Sequence, residues 1–188
     1  MATHIISSCD MLVSLTGTPG TGKSTVSNLL RKRGYHVVDL NVMAIEKGFT
    51  IGYDEKRKCY IIDEERLSKY LEKDLSGKEG ITILEGHLSH LMKHLDIVIV
   101  LRCKPSELRK RLEEKGWSKD KIRENVEAEA LDIILCEAVS LHRNRVAEID
   151  TTVLSPTETA NKVEEILATR NIESYRPGKI DWLEEVFW

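Results

Sequence analysis

A three-layer α/β/α sandwich around a parallel five-stranded sheet is the fold the sequence predicts. Five short β-rich runs recur along the chain, helical patterns separate them, and the first run opens onto a glycine-rich loop. The runs are MLVSLTG (11–17), YHVVDL (35–40), ITILE (81–85), DIVIVLR (96–102) and the shorter AEIDTT (147–152). They are nearly continuous in apolar residues rather than alternating, which fits strands covered on both faces, as in parallel sheets. Strands alternating with helices imply right-handed crossovers, with ligands at the carboxyl ends of the strands.

The helices follow in order. One runs from Lys23 to Arg33, directly after the loop. A second spans Glu64 to Leu75, with Asp63 as its N-cap and Leu67, Tyr70, Leu71 and Leu75 on one face. A third starts at Pro105, whose ring suits a first helical turn. A long helix is predicted from Ser118 to Arg143, and a last one from Pro156 to Thr169. Two segments stand apart: residues 39–62, with GYDEKRKCY near the middle, read as an inserted flap, and 114–124, centred on KGWSKDK, as a short exposed turn or lid. The tail 175–188 has loop signals at Pro177 and Gly178. Trp182, Val186 and Phe187 are then predicted to line a short docking helix, with a partner-binding tail as the alternative.

The 188 residues suit a single domain that buries its core without disulfides. Lys plus Arg total 28 against 31 Asp plus Glu, a net charge of −3, so there is no general attraction to nucleic acid. Cys9, Cys59, Cys103 and Cys136 form no CxxC pair and are predicted to be buried thiols of a cytoplasmic protein. No apolar run reaches membrane-spanning length, and MATHIISSCD lacks the pattern of a secretory signal.

The chemistry concentrates at GTPGTGKST (17–25), which fits G-x-x-x-x-G-K-[ST] through Gly17, Gly22, Lys23 and Ser24. Glycines allow a tight turn that wraps backbone N–H groups around an anion, and the following helix points its positive end there. Lys23 is expected to reach the β- and γ-phosphates of ATP, Ser24 to ligate Mg²⁺, and Thr25 to bond an α-phosphate oxygen. The metal also needs a carboxylate from a neighbouring strand, and Glu85, ending ITILE, is that candidate; capping the next helix is its structural alternative. His87 is expected to orient or deprotonate an attacking group. His87, His90 and His94 have helical spacing, for which a solvated face is favoured over a metal trio. Residues 102–123 hold nine basic and four acidic side chains. Closing over the loop, this stretch would bring Arg111 or Lys115 against the transferring phosphoryl group.

Together GTPGTGKST, GYDEKRKCYIIDEERL, EGH, VIVLRCKPSELRKRLEEKGW and KIRENVEAEALD resemble the atypical adenylate kinases of the isoenzyme-six type, the coilin-interacting nuclear ATPase family and its archaeal counterparts. The likeness runs from Met11 to about Leu167. It implies an adenylate kinase-like P-loop fold, ATP:AMP phosphotransfer with Mg²⁺, ATP hydrolysis, and help in small ribosomal subunit maturation through a protein of the uS-eleven type. By position, ATP contacts fall on Gly20, Gly22, Lys23, Ser24, Thr25 and Lys115, and the acid-x-His signature on Glu85 and His87. Three departures stand out. Lys115 replaces the usual arginine, Glu85 the usual aspartate, and Ile45 and Ser89 occupy positions where related kinases carry arginine. The acceptor phosphate is then left to Arg57, Lys56 or backbone donors. A regulatory ATPase on a protein partner is the second reading, and a P-loop kinase for shikimate or dephospho-coenzyme A a third.

Overall fold

A computed structural model describes residues 11–55, 57–75 and 79–187, apart from the side chains of 186 and 187. Five parallel strands form the central sheet: β1 (Met11–Thr16), β2 (His36–Asp39), β5 (Ile81–Glu85), β6 (Ile97–Arg102) and β7 (Val146–Asp150). Their order is β2-β5-β1-β6-β7, which sets β1 at the centre. The register pairs Leu15 with Glu85 and Asp39 with Glu85, so three strands end at one level beside the loop that follows β1.

Both faces of the sheet are covered, as the apolar runs require. Along β6, Ile97, Ile99 and Leu101 enter one core with Val13, Leu15, Val26, Leu30 and Val163. Val98 and Val100 point the other way, against Leu40, Leu67, Leu71 and Leu135. The first core packs α1 (Lys23–Lys32) and α7 (Pro156–Thr169), the second α3 (Glu64–Asp74) and α6 (Ile133–His142). Each fully buried Leu, Ile or Val contributes about 1.5–3 kcal/mol by leaving water. Leu15 and Ile99, both fully buried, are thus costly positions at which to introduce a polar group.

Local signals explain the helix starts. Asp63 accepts from Arg66 N at the head of α3, and Ser155 and Glu158 form a capping box across Pro156. The inserted segment consists of α2 (Leu40–Glu46) and a hairpin of β3 (Thr50–Asp54) and β4 (Cys59–Ile62). The basic region forms α4 (Pro105–Glu114), a turn at 115–118, and α5 (Lys119–Ala130), held by Leu108, Leu112, Ile122, Val126 and Trp117.

Several expectations are corrected. The long helix predicted from Ser118 to Arg143 is broken at Leu131 and Asp132, where Asp132 adopts φ 56°. Its carboxylate there binds the Arg102 guanidinium. The histidines do not share a helix face, because only a 3-10 turn (Ser89–Leu91) forms. His90 is buried, with Nδ1 3.1 Å from Thr16 Oγ1 and Nε2 3.0 Å from Glu137. His94 instead lies beside Glu72. Of the cysteines, Cys103 is buried, its thiol pushed up to about 12 by burial, whereas Cys59 and Cys136 are exposed. Cys9 and Lys56 lie outside the described residues, as do the side chains of Val186 and Phe187. Trp182 does dock, with its ring 5.0 Å from the Arg102 guanidinium. Among the described residues no helix is long and apolar enough to cross a membrane.

Candidate active site

The loop after β1 is shaped by close packing. A Cβ at Gly17 would lie 2.3 Å from the Leu101 carbonyl oxygen, and one at Gly20 2.7 Å from Leu108 and 2.9 Å from Leu112. Side chains at these points would push the loop off β6 and α4. Gly22 caps α1 in the left-handed conformation, and no side chain bonds the helix N-terminus. Its first N–H groups therefore face the loop's concavity, an arrangement that attracts anions.

Lys23 folds back over this loop, its Nζ donating to the Gly17 carbonyl at 2.7 Å and the Thr18 carbonyl at 3.1 Å. It is 7% exposed, and burial lowers its pKa to about 8, against the opposing pull of Glu85 and Glu129. Ser24, one residue on, donates from Oγ to Glu85 at 3.3 Å. Glu85 is buried, and its carboxyl is raised by burial and then by Asp39, while Lys23 and Ser24 pull it back down. It does not cap the following turn, whose N-cap is Leu88. The Ser24 hydroxyl and the buried Glu85 carboxylate therefore bring two kinds of hard oxygen donor together. That donor chemistry fits Mg²⁺, which takes few protein ligands when phosphates supply the rest.

His87 lines the same space. Burial and the charge of Lys23 push its pKa down to about 4, so the imidazole is neutral at physiological pH. A base this weak abstracts a proton poorly. As a hydrogen-bond partner that orients an oxygen, it is well suited.

Lys23, Ser24, Thr25, Glu85 and His87 line one cavity of about 540 Å³, with Gly20, Gly22 and Lys115. Its far wall comes from the hairpin through Arg57 and from α5 through Lys121. Trp117 steers Lys121, whose ammonium sits 4.1 Å from the ring centre. Arg57 spans the mouth to Glu124, with nitrogen to oxygen distances of 2.6 and 3.4 Å. A second cavity of about 540 Å³ opens on the other side of the loop, between Gly20, Thr25, Lys115, Thr151, Leu154 and Pro156.

Gly17 lines neither cavity, and among the predicted side chains Arg111 stands apart. It lines the second cavity rather than the first, donating to the Thr151 and Thr152 carbonyls at 2.9 and 3.1 Å and to Glu107 at 3.3 Å. Lys115 alone of the predicted basic pair faces both cavities. Sequence reasoning missed Lys121, Asn125 and Glu129. Their signal was present in KIRENVEAEALD, where Lys121 and Asn125 are four apart and so share a helix face.

A family model described as AAA domain matches residues 13–132. The chain belongs to this family. For this AAA-domain chain, curated relatives match along nearly the whole length. A protein of Archaeoglobus fulgidus named "Putative adenylate kinase" is 47% identical over 178 residues, covering 94% of both chains. One of the same name from Methanosarcina barkeri is 46% identical over 184 residues, covering 94% of this chain and all of the relative. Among solved structures, shikimate kinase from Acinetobacter baumannii in complex with shikimate superposes with a TM-score of 0.60 at 15% identity, over 87% of this chain and 96% of that one. Shikimate kinase from Bacteroides thetaiotaomicron gives 0.56 at 16% identity, over 84% and 98%. These likenesses establish the P-loop kinase fold of the AAA-domain chain.

Proposed function

We propose that the protein is a cytoplasmic nucleoside monophosphate kinase that converts ATP and AMP to two ADP, of the atypical isoenzyme-six type. The observation that carries this reading is the convergence of Lys23, Ser24, Glu85 and His87 on one cavity that the β3–β4 hairpin and a basic turn also border. The archaeal relatives, by their names, point to the same acceptor.

In this reading the loop 17–25 holds the triphosphate, with Gly17, Gly20 and Gly22 shaping the cradle, Thr25 at the α-phosphate and Lys115 above it. The second cavity takes the base. Residues 39–62 act as the acceptor flap and 114–124 as the lid, both excluding water. An oxygen of the AMP phosphate attacks the γ-phosphorus; the bond from that phosphorus to the β,γ-bridging oxygen breaks, and ADP leaves with that electron pair. Lys23, released from the Gly17 and Thr18 carbonyls by incoming phosphate, neutralises charge developing on the transferred group. Ser24 and Glu85 would hold Mg²⁺, which would offset the negative charge of the phosphates. His87 orients the acceptor oxygen. Arg111 holds Thr151, whose hydroxyl donates to the Thr21 carbonyl of the loop at 2.9 Å, and so acts on the base side rather than at the reacting phosphorus.

Arg57 supplies the acceptor phosphate contact that Ile45 and Ser89 do not, by exchanging Glu124 for the phosphate. A second reading draws on that same occupied arginine: with Arg57 kept by Glu124 and Asp54, water replaces AMP, and the protein works as an ATPase switch on a small-subunit ribosomal protein of the uS-eleven type. ATP labelled in the γ-phosphate separates the two. Transfer of label to ADP on adding AMP supports the kinase. Label released as inorganic phosphate regardless of AMP overturns it, and a panel including shikimate reveals any other acceptor.

A further inference from the structure

Beyond Glu124, the block KIRENVEAEALD has no role in the chemistry above, yet it supplies the most connected buried carboxylate near the loop. Glu129, 3% exposed, lies near the end of α5 and reaches both the end of β6 and the glycine-rich loop. One oxygen accepts from Arg102 Nε at 2.9 Å and from Cys103 N at 3.0 Å, and the other accepts the hydroxyl of Thr18. Thr18 is itself 2% exposed. Its carbonyl receives Lys23 Nζ at 3.1 Å, Thr21 N at 3.2 Å and Thr21 Oγ1 at 2.9 Å. The residue that holds the resting lysine and the turn of the loop is thus fastened by its side chain to Glu129.

A buried carboxylate tolerates that place only with compensating charge. Arg102, 1% exposed at the end of β6, provides it and is shared with Asp132 and Glu148. The C-terminal segment seals the far side: Trp182 covers the guanidinium, and Lys179 N donates to Glu148 at 3.0 Å. A buried chain of contacts therefore runs from the tail through Arg102 and Glu129 to the second residue of the glycine-rich loop.

We infer that Glu129 is a positioning residue for ATP, fixing the phosphate loop through the Thr18 hydroxyl while Arg102 neutralises it. The inference rests on the nucleotide reading of the loop. Fastening the loop keeps its N–H groups aimed before ATP arrives, so less ordering remains to be done on binding. The lid helix α5 carries Glu129, so lid and loop are held in register by one carboxylate.

Thr18→Val and Glu129→Met, singly and together, test this by titration calorimetry with MgATP, by steady-state kinetics and by melting without nucleotide. Thr18→Val keeps the shape and removes the donor. It is expected to weaken MgATP binding about tenfold or more, with the KM for AMP unchanged and the melting temperature a few degrees lower, because one Glu129 oxygen loses its donor. The double variant is expected to bind no more weakly than the weaker single one, because both remove the same link. Full additivity, or Thr18→Val binding MgATP like the wild type, overturns the inference. Should Glu129→Met fail to fold, Thr18→Val alone decides. Wild type that does not bind MgATP overturns the nucleotide reading as well, whereas wild type that binds beside an equally tight Thr18→Val overturns this inference alone.

Discussion

Replacing Lys23 with Met should separate the cost of the buried ammonium from its use. In the nucleotide-free protein the side chain is 7% exposed and its pKa falls from 10.5 to about 8. At 1.36 kcal/mol per pKa unit, holding that charge costs the fold about 3 kcal/mol at neutral pH. Against this stand the two carbonyls it satisfies. Thr18 keeps two other donors, but Gly17 would lose its 2.7 Å partner, at a cost of about 1–3 kcal/mol. The two nearly cancel, so Lys23→Met should melt without nucleotide at the wild-type temperature or a few degrees above it. The folded pKa lies below the unfolded one, so the penalty is fully present below about pH 8 and fades as pH rises to 10.5. Any advantage of Lys23→Met should shrink accordingly between pH 7 and pH 10.

Ligand reverses the comparison. MgATP at a hundred times its dissociation constant adds about 2.7 kcal/mol. For a chain of this size that raises the wild-type melting temperature by roughly 5–11 °C. Lys23→Met should gain almost none of this and turn over no ATP. Differential scanning fluorimetry across pH, with and without MgATP, reads both effects. A variant that melts many degrees lower without nucleotide would make Lys23 a structural bridge, and one that keeps the MgATP shift would remove it from the phosphate site; either result refutes the reasoning.

Three further outcomes are expected. Because His87 resists protonation down to about 4 while an unfolded histidine protonates near 6.5, wild type should lose stability relative to His87→Asn as pH falls through that window; a constant difference contradicts the burial of a neutral ring. Gly20→Ala places a Cβ against Leu108 and Leu112 at φ 102°, which should cost about 1–3 kcal/mol in urea unfolding. An unchanged urea midpoint would mean the loop does not rest on α4. Arg57→Ala should raise the KM for AMP roughly tenfold or more and leave that for ATP alone, since a guanidinium to phosphate fork is a strong contact. An unaffected AMP KM would hand the acceptor phosphate to another group.

Much of this architecture was legible in the sequence because its signals are local. The five apolar runs became the five parallel strands, and Asp63 and Pro156 marked helix starts because capping and proline geometry act within one turn. Glu85 could be picked out because a charge ending a buried strand needs a partner, and Ser24 is that partner. What escaped depends on contacts distant in the chain. Asp132 breaks the long helix because Arg102, 30 residues earlier, binds its carboxylate. His90 is buried because Thr16 and Glu137, 74 and 47 residues away, meet its two ring nitrogens. Arg111 turns toward Thr151, 40 residues on, rather than toward the cavity that Lys23 and Glu85 line. A charge count over 102–123 gave the basic character of this region but not the direction of each side chain.

The most direct measurement is a crystal structure with Mg²⁺ and a bisubstrate analogue in which five phosphates join two adenosines. The expected structure has phosphates wrapped by the amides of 17–25 with Lys23 turned away from the Gly17 carbonyl, the metal beside Ser24 and Glu85, and the acceptor end between His87 and Arg57. An analogue bound elsewhere, with Lys23 still on the Gly17 carbonyl and Glu85 still on Ser24 alone, would contradict it.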